Sequence, residues 1–234
     1  MDEIKANVLA VKKNIAEAAL RSGRRPEDIL LVAASKMNDE NRIHAARDAG
    51  VGIFGENRVQ EMTEKAAKGA YEGVELHFIG HLQRNKVKQV VGLASVIHSV
   101  DSEALLSAID AEAEKRGLVQ QLLLEVNIGA EPAKSGFSPV DIPRALEFAS
   151  GLKHIYVSGL MAVPPICLNS EENRPYFEAM RQLFIDNGEK KYDNVSMDFL
   201  SMGMSGDYMT AIDCGANIVR VGSAIFGKRN YNMI

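Results

Sequence analysis

The chain contains no tryptophan, only two cysteines and an aromatic fraction of 6% over its 234 residues. Cys167 and Cys214 form no CxxC pair, which excludes a disulfide framework and a cysteine zinc cluster and fits a reducing cytoplasm. Basic charge is not in excess: 27 lysines and arginines face 31 acidic residues, a net charge of -4. That balance has no electrostatic footprint for nucleic acid, and the small basic face Arg84, Lys86 and Lys88 carries no interleaved aromatics to stack bases. Long apolar runs are also missing. Asp2, Glu3, Lys5, Lys12, Lys13 and Glu17 interrupt residues 1–20, so neither a signal peptide nor a membrane span is expected. A cytoplasmic protein with a small-molecule partner, no nucleic acid and no membrane is the expectation.

Common site motifs are missing as well. No GxGxxG follows any strand, and Lys134-Ser135-Gly136 lacks the GxxxxGK order of a nucleotide loop. His77 and His81 are four apart on a strand running into glycine, so they do not share a helix face as HExxH requires, and no metal is expected. Met202, Met204 and Met209 read as packing residues and Cys214 as a small buried filler.

What is present is alternation. Ile4, Val8, Val11, Ile15 and Ala19 recur at helical spacing, predicting an opening amphipathic helix that ends near Gly23. Eight strand-like runs follow: Leu30–Lys36, Val51–Gly55, Glu75–Gly80, Ser95–Val100, Val119–Ile128, His154–Met161, Met197–Leu200 and Asn217–Val221. Helices are predicted between them, at Asp39–Ala49, from after Glu56-Asn57 to about Lys68, and at Arg84–Val91, Ser102–Lys115, Pro139–Ala149, Glu171–Asn187 and Ser205–Asp213, with a last turn at Ser223–Gly227. Eight βα units in a chain of this length predict a single-domain (β/α)8 TIM barrel over residues 1–234, preceded by an N-terminal helix. An open sheet of six or seven strands is the alternative.

In a barrel the ligand gathers at the carboxyl ends of the strands. Those ends supply Lys36, Glu56 with Asn57, His81, Asn127, Met161, Ser201, and Arg220 with Gly222 and Ser223. Lys36 closes an apolar run. A lysine held against apolar neighbours loses hydration, which disfavours the ammonium, and the neutral amine can attack a carbonyl to form a Schiff base; the alternative is a lysine that snorkels to solvent. Arg220-Val221-Gly222-Ser223 suits a phosphate, because glycine lets backbone approach an anion and the following N–H groups open a helical turn. A tight strand-to-helix turn is the competing explanation for that segment.

Several longer stretches carry more than local chemistry. Ala34-Ser35-Lys36, Phe54-Gly55-Glu56-Asn57-Arg58-Val59-Gln60-Glu61, His77-Phe78-Ile79-Gly80-His81-Leu82-Gln83, Asn85-Lys86, Val126-Asn127-Ile128, Lys134-Ser135-Gly136, Gly159-Leu160-Met161, Leu200 through Ser205, and Val219 through Gly227 resemble the pyridoxal phosphate homeostasis proteins. These are single-domain relatives of the alanine racemase barrel. The resemblance runs in order from Leu30 almost to the end of the chain.

That resemblance implies pyridoxal 5'-phosphate as cofactor, held as a Schiff base on Lys36. It implies phosphate-holding positions at Ser201, Gly222 and Ser223, Asn57 near the cofactor, and a pocket that also includes His81, Met161 and Met202. Arg220 takes the position facing the pyridine nitrogen. A guanidinium there discourages protonation of the ring, which leaves a weaker electron sink than an aspartate partner would. The chain departs from the family pattern at Asn38, where many members carry a second lysine; Lys86, Lys134 and Lys228 remain as alternatives for a transfer role.

The expected function is therefore intracellular homeostasis of pyridoxal phosphate by a monomeric carrier without dedicated turnover, with dependent apoenzymes as possible recipients. Amino-acid racemisation is the enzymatic alternative. It needs acid and base groups on both faces of the substrate, and the racemases of this fold take the opposing tyrosine from a second domain of a partner subunit, which a chain stopping at Ile234 is not expected to contain. A lysine-dependent aldolase acting on a phosphorylated sugar would share Lys36 and the phosphate corner but not the other motifs.

Overall fold

In the computed structural model, residues 2–165, 167, 169–189 and 191–227 are described. Lys228 lies outside them. The elements follow in order as α1 (Asp2–Arg21), β1 (Leu30–Ala34), α2 (Glu40–Asp48), β2 (Ile53–Glu56), α3 (Val59–Ala67), β3 (Glu75–Phe78), α4 (Val87–Val90), β4 (Val96–Val100) and α5 (Glu103–Arg116). They continue as β5 (Gln120–Val126), α6 (Ile142–Ser150), β6 (Ile155–Ala162), α7 (Arg174–Gly188), β7 (Val195–Ser201), α8 (Tyr208–Asp213), β8 (Ile218–Val221) and α9 (Ser223–Phe226).

The eight strands form a closed parallel barrel in sequence order. Closure settles the choice against an open sheet: Leu30, Leu31, Val32 and Ala33 of β1 pair in register with Ile218, Val219, Arg220 and Val221 of β8. Helix α1 lies outside the ring, against α2, α8 and α9, and buries Ile4, Val8, Val11, Ile15, Ala18 and Ala19. Those positions repeat about every turn, so one stripe of the helix loses its water and the opposite stripe keeps it. Among the described residues no helix is long and apolar enough to cross a membrane.

Alternation along the strands divides the core in two. Ala33, Phe54, Phe78, Ile97, Leu122, Leu160, Val219 and Val221 point outward into the main layer between barrel and helices. Val32, Ala34, Ile79 and Ile218 form one apolar cluster inside the ring, and Val96, Leu123 and Met161 form another. The inward set is small because polar residues occupy much of the remaining interior.

Boundaries differ from expectation where side chains compete with the ladder. The first strand ends at Ala34 instead of Lys36, because Asn38 N–H donates to the Ser35 carbonyl at 3.1 Å and turns the chain. Met37, the third residue of that turn, takes φ 61°, the left-handed value a type II turn requires there. The helices expected from Pro139 and Glu171 begin with 3-10 turns before α6 and α7, and the one expected from Arg84 is a 3-10 turn followed by the short α4. Strand β7 is longer than its apolar run, since Ser196 and Asp198 belong to it.

Candidate functional site

Lys36 stands two residues beyond β1 in a half-buried turn braced from three directions. Asn38 Nδ2 donates to the Lys36 carbonyl at 3.1 Å, and Asn38 Oδ1 accepts from Arg42 Nε at 2.8 Å. The Arg42 guanidinium also donates to the Phe226 carbonyl, tying the turn to the end of α9. On the other side, Met37 N–H donates to Glu61 Oε2 at 2.7 Å. Asn38 is thus committed to holding the turn.

Beneath the turn lies a buried carboxylate. Glu56 Oε1 accepts from Tyr71 at 2.6 Å, Ser35 Oγ at 2.8 Å and Lys65 Nζ at 2.8 Å, and Lys65 also donates to the Ser35 carbonyl at 3.0 Å. Burial, together with the charge of Glu56, raises the Tyr71 phenol far above its ordinary value. Strand parity explains the placement. Gly55 faces the interior, where an added Cβ would stand 2.8 Å from Ile79 and Val32, so Glu56 faces the helix layer. It is a support of the Lys36 turn, although the sequence groups it with the strand-end candidates.

Arg220 is a buried cation inside the ring, 4% exposed. Its Nη1 donates to Ser201 Oγ at 2.6 Å and its Nη2 to the Ala162 carbonyl at 2.9 Å. Burial pushes its pKa down to about 10, so it remains a cation at neutral pH. Glu125, on β5, is raised by burial and by the nearby charge of Asp101. Ser201, beneath Arg220, is fully buried and also contacts His98 Nδ1 at 3.0 Å.

At the opposite edge of β1 the last strand turns into α9. Ser205 Oγ accepts from Gly222 N–H at 3.1 Å and Ala224 N–H at 3.2 Å. Having accepted twice, this hydroxyl can still donate its own proton to an anion. Ser223 is exposed at the same corner. A Cβ on Gly222 would come within 3.3 Å of the Ala34 carbonyl, so this corner and the strand leading to Lys36 are in close contact.

The remaining candidates distribute around the mouth. Asn57, just past β2, has a buried Oδ1 with no hydrogen-bond partner among the described residues. His81 is 59% exposed and lies 3.3 Å from Asp101. Asn57, Arg58, Gln60, His81 and Lys86 border a cavity of about 240 Å³. Met161 faces the interior, whereas Met202 packs in the outer core layer. Asn127 is spent on its own loop: it donates to the Glu131 and Lys134 carbonyls at 2.8 and 3.2 Å and accepts from Glu131 N–H at 3.1 Å. Lys134 pairs with Glu131 at 2.5 Å.

Sequence reasoning missed Ser205 as an individual residue, the Glu56–Tyr71–Lys65 cluster, and His77 with His98. A signal for His98 exists: like Arg220, it is a polar residue at inward parity in a strand whose other inward position near it is apolar, Val96 for His98 and Ile218 for Arg220.

The chain matches the family described as alanine racemase, N-terminal domain, over residues 6–230. It is 41% identical over 221 residues to a pyridoxal phosphate homeostasis protein of Aquifex aeolicus, covering 94% of this chain and 96% of the relative. The protein of that name from Escherichia coli K12 is 35% identical, covering 99% of each chain. Among solved structures, PipY of Synechococcus elongatus with pyridoxal phosphate bound superposes with a TM-score of 0.79 at 35% identity, covering 91% of this chain and all of PipY. With sequence and barrel in agreement over nearly the whole length, the chain belongs to the alanine racemase N-terminal-domain family and, within it, to the pyridoxal phosphate homeostasis proteins.

Proposed function

We propose that this protein binds pyridoxal 5'-phosphate and serves its homeostasis as a carrier, with Lys36 as the covalent tether. The observation that carries the reading is the close contact of Gly222 with the Ala34 carbonyl, two residues before Lys36. It brings an amine-bearing turn against a corner suited to phosphate, as a ligand with an aldehyde and a phosphate requires.

The residues fit such a group. Asn57 Oδ1 is a buried acceptor awaiting a donor, Ser205 retains a hydroxyl proton, and Gly222 leaves room that a side chain would fill. The cofactor, when bound, supplies an aldehyde that a neutral lysine amine captures as a Schiff base. Lys36 supplies that amine; the Asn38 and Glu61 contacts orient its backbone. Gly222, Ser223 and Ser205 hold the phosphate. Ser201, whose hydroxyl is engaged by Arg220 and His98, supports the Arg220 guanidinium beside the ring instead of holding the phosphate. Asn57, His81 and Met161 complete the walls, and Met202 supports them from the outer layer.

Arg220 holds a fixed positive charge at neutral pH and keeps a neighbouring ring nitrogen from accepting a proton. This favours retention over carbanion chemistry. Racemisation draws support from the family match, but it needs a second acid or base opposite Lys36. Tyr71 and Tyr208 are buried and committed, to Glu56 at 2.6 Å and to Asn14 at 3.0 Å. Recipients are apoenzymes that use the same cofactor.

Borohydride reduction of the protein after incubation with pyridoxal phosphate, followed by peptide mass spectrometry, tests the reading. The reduced adduct is expected on Lys36, and its absence or its appearance on another lysine overturns the tether. Alanine racemisation is expected at background; sustained turnover abolished by Lys36→Ala overturns the carrier reading.

A further inference from the structure

We propose that a one-way hydrogen-bond chain, Arg220 to Ser201 to His98 to His77 to Glu75, crosses the barrel interior, locks both histidines as neutral Nε2–H tautomers, and positions the Arg220 guanidinium. Arg220 Nη1 meets Ser201 Oγ at 2.6 Å, Ser201 Oγ meets His98 Nδ1 at 3.0 Å, His98 Nε2 meets His77 Nδ1 at 2.9 Å, and His77 Nε2 meets Glu75 Oε2 at 3.4 Å. Three of the intervening groups are essentially without solvent: Ser201 and His98 are 0% exposed and His77 is 2% exposed. Glu75 is the first residue of β3, at the amino-terminal mouth, and its side chain is 61% exposed.

The two ends dictate the direction. A guanidinium has no acceptor, and a carboxylate has no proton to donate. Ser201 therefore accepts from Arg220 and sends its single proton to His98 Nδ1. His98 then carries its proton on Nε2 and donates to His77 Nδ1, and His77 donates from Nε2 to Glu75. The reverse order would leave the Ser201 hydroxyl proton unpaired in a buried site and turn the His77 lone pair toward the Glu75 carboxylate. A buried polar network is stable only when every member is satisfied, and one orientation meets that condition.

The charges around the chain act in the same sense. Burial lowers both histidines, and the nearby charge of Arg220 lowers His98 further. Glu75 opposes the effect at His77. Across the interior, Glu125 and Asp207 favour the charged form of Arg220. Neutral histidines between one cation and one carboxylate carry no net charge themselves, so they support Arg220 without competing with it. Ser201, His98 and His77 are positioning residues, and the role of Arg220 beside a pyridine ring rests on the cofactor reading above.

Long-range nitrogen-15 NMR of imidazole-labelled full-length protein, without cofactor, tests the chain directly. His77 and His98 are expected to show protonated Nε2 and bare Nδ1, unchanged from pH 8 to pH 5.5. In Ser201→Ala the His98 signals are expected to split between two tautomers, while the surface variant Glu75→Gln, which keeps an acceptor, retains the native pattern. An Nδ1–H tautomer in the parent protein, titration near pH 6.5, or an unaltered His98 in Ser201→Ala overturns the proposal. In cofactor-loaded protein the pH midpoint of the visible band is expected to move by at least half a unit in Ser201→Ala, and an unmoved midpoint overturns the positioning role. A parent protein that acquires no visible band refutes the cofactor reading instead, and the NMR result then decides the chain by itself.

Discussion

The Tyr71 hydroxyl donates to Glu56 Oε1 at 2.6 Å, on the same oxygen that accepts from Lys65 Nζ at 2.8 Å. Glu56 is fully buried, with Lys65 folded over it. Removing one partner of a buried ion pair strands the other charge, so Lys65→Met is expected to destabilise the protein by about 3–5 kcal/mol. Tyr71→Phe leaves the pair intact and removes one charge-assisted hydrogen bond, a loss of about 1.5–3 kcal/mol. Urea denaturation of the two variants checks the order, and equal losses would contradict it.

The buried histidines predict an acid limb of stability. An unfolded histidine takes up a proton near pH 6.5, whereas burial keeps folded His77 and His98 below that value. The unfolded state then binds more protons, so this contribution is complete above about pH 6.5 and is lost as pH falls below it. Denaturation midpoints measured at pH 7.5 and 5.5 are expected to drop, and to drop less in a variant with both histidines replaced by asparagine.

Gly159 is the position on β6 least able to accept a side chain. It has φ 148°, and a Cβ there would lie 1.9 Å from the Phe199 carbonyl oxygen. It also sits where the β6–β7 register shifts. Gly159→Ala must open that pairing, and its expected outcome is loss of soluble folded protein or a destabilisation of at least about 3 kcal/mol, read by circular dichroism and denaturation.

Asp39 caps α2, its side chain accepting from Arg42 N–H at 2.9 Å. Asp39→Ala is expected to cost about 1 kcal/mol, a drop in Tm of about 2–4 °C for a chain of this size. Because Arg42 also holds Asn38 and the Phe226 carbonyl, cofactor release is expected to quicken in the same variant. Thermal melts and the decay of visible absorbance on dilution measure the two effects.

Much of the fold was legible because its signals are local. Periodic apolar positions in Ile4–Ala19 and the repeated strand-then-helix alternation need no distant partner to be read, and Lys36 at the end of an apolar run lies at the carboxyl end of β1. The 3-10 start of α6 was not legible, since Pro139 permits either geometry in the first turn. Glu56 was misjudged as a mouth residue because strand parity depends on which neighbour faces inward, and that depends on Gly55 packing beneath Ile79 and Val32.

The sequence alone determined the strand and helix pattern and the family, because each rests on neighbouring residues or on ordered motifs. Tertiary structure decided closure of the ring through β1 and β8, the commitment of Asn38 to the Lys36 turn, and the alignment of Glu75, His77, His98, Ser201 and Arg220. Hydrogen bonds between residues as far apart as His98 and Ser201 have no imprint on local spacing; they exist because a closed parallel barrel turns alternate residues of different strands into one confined interior.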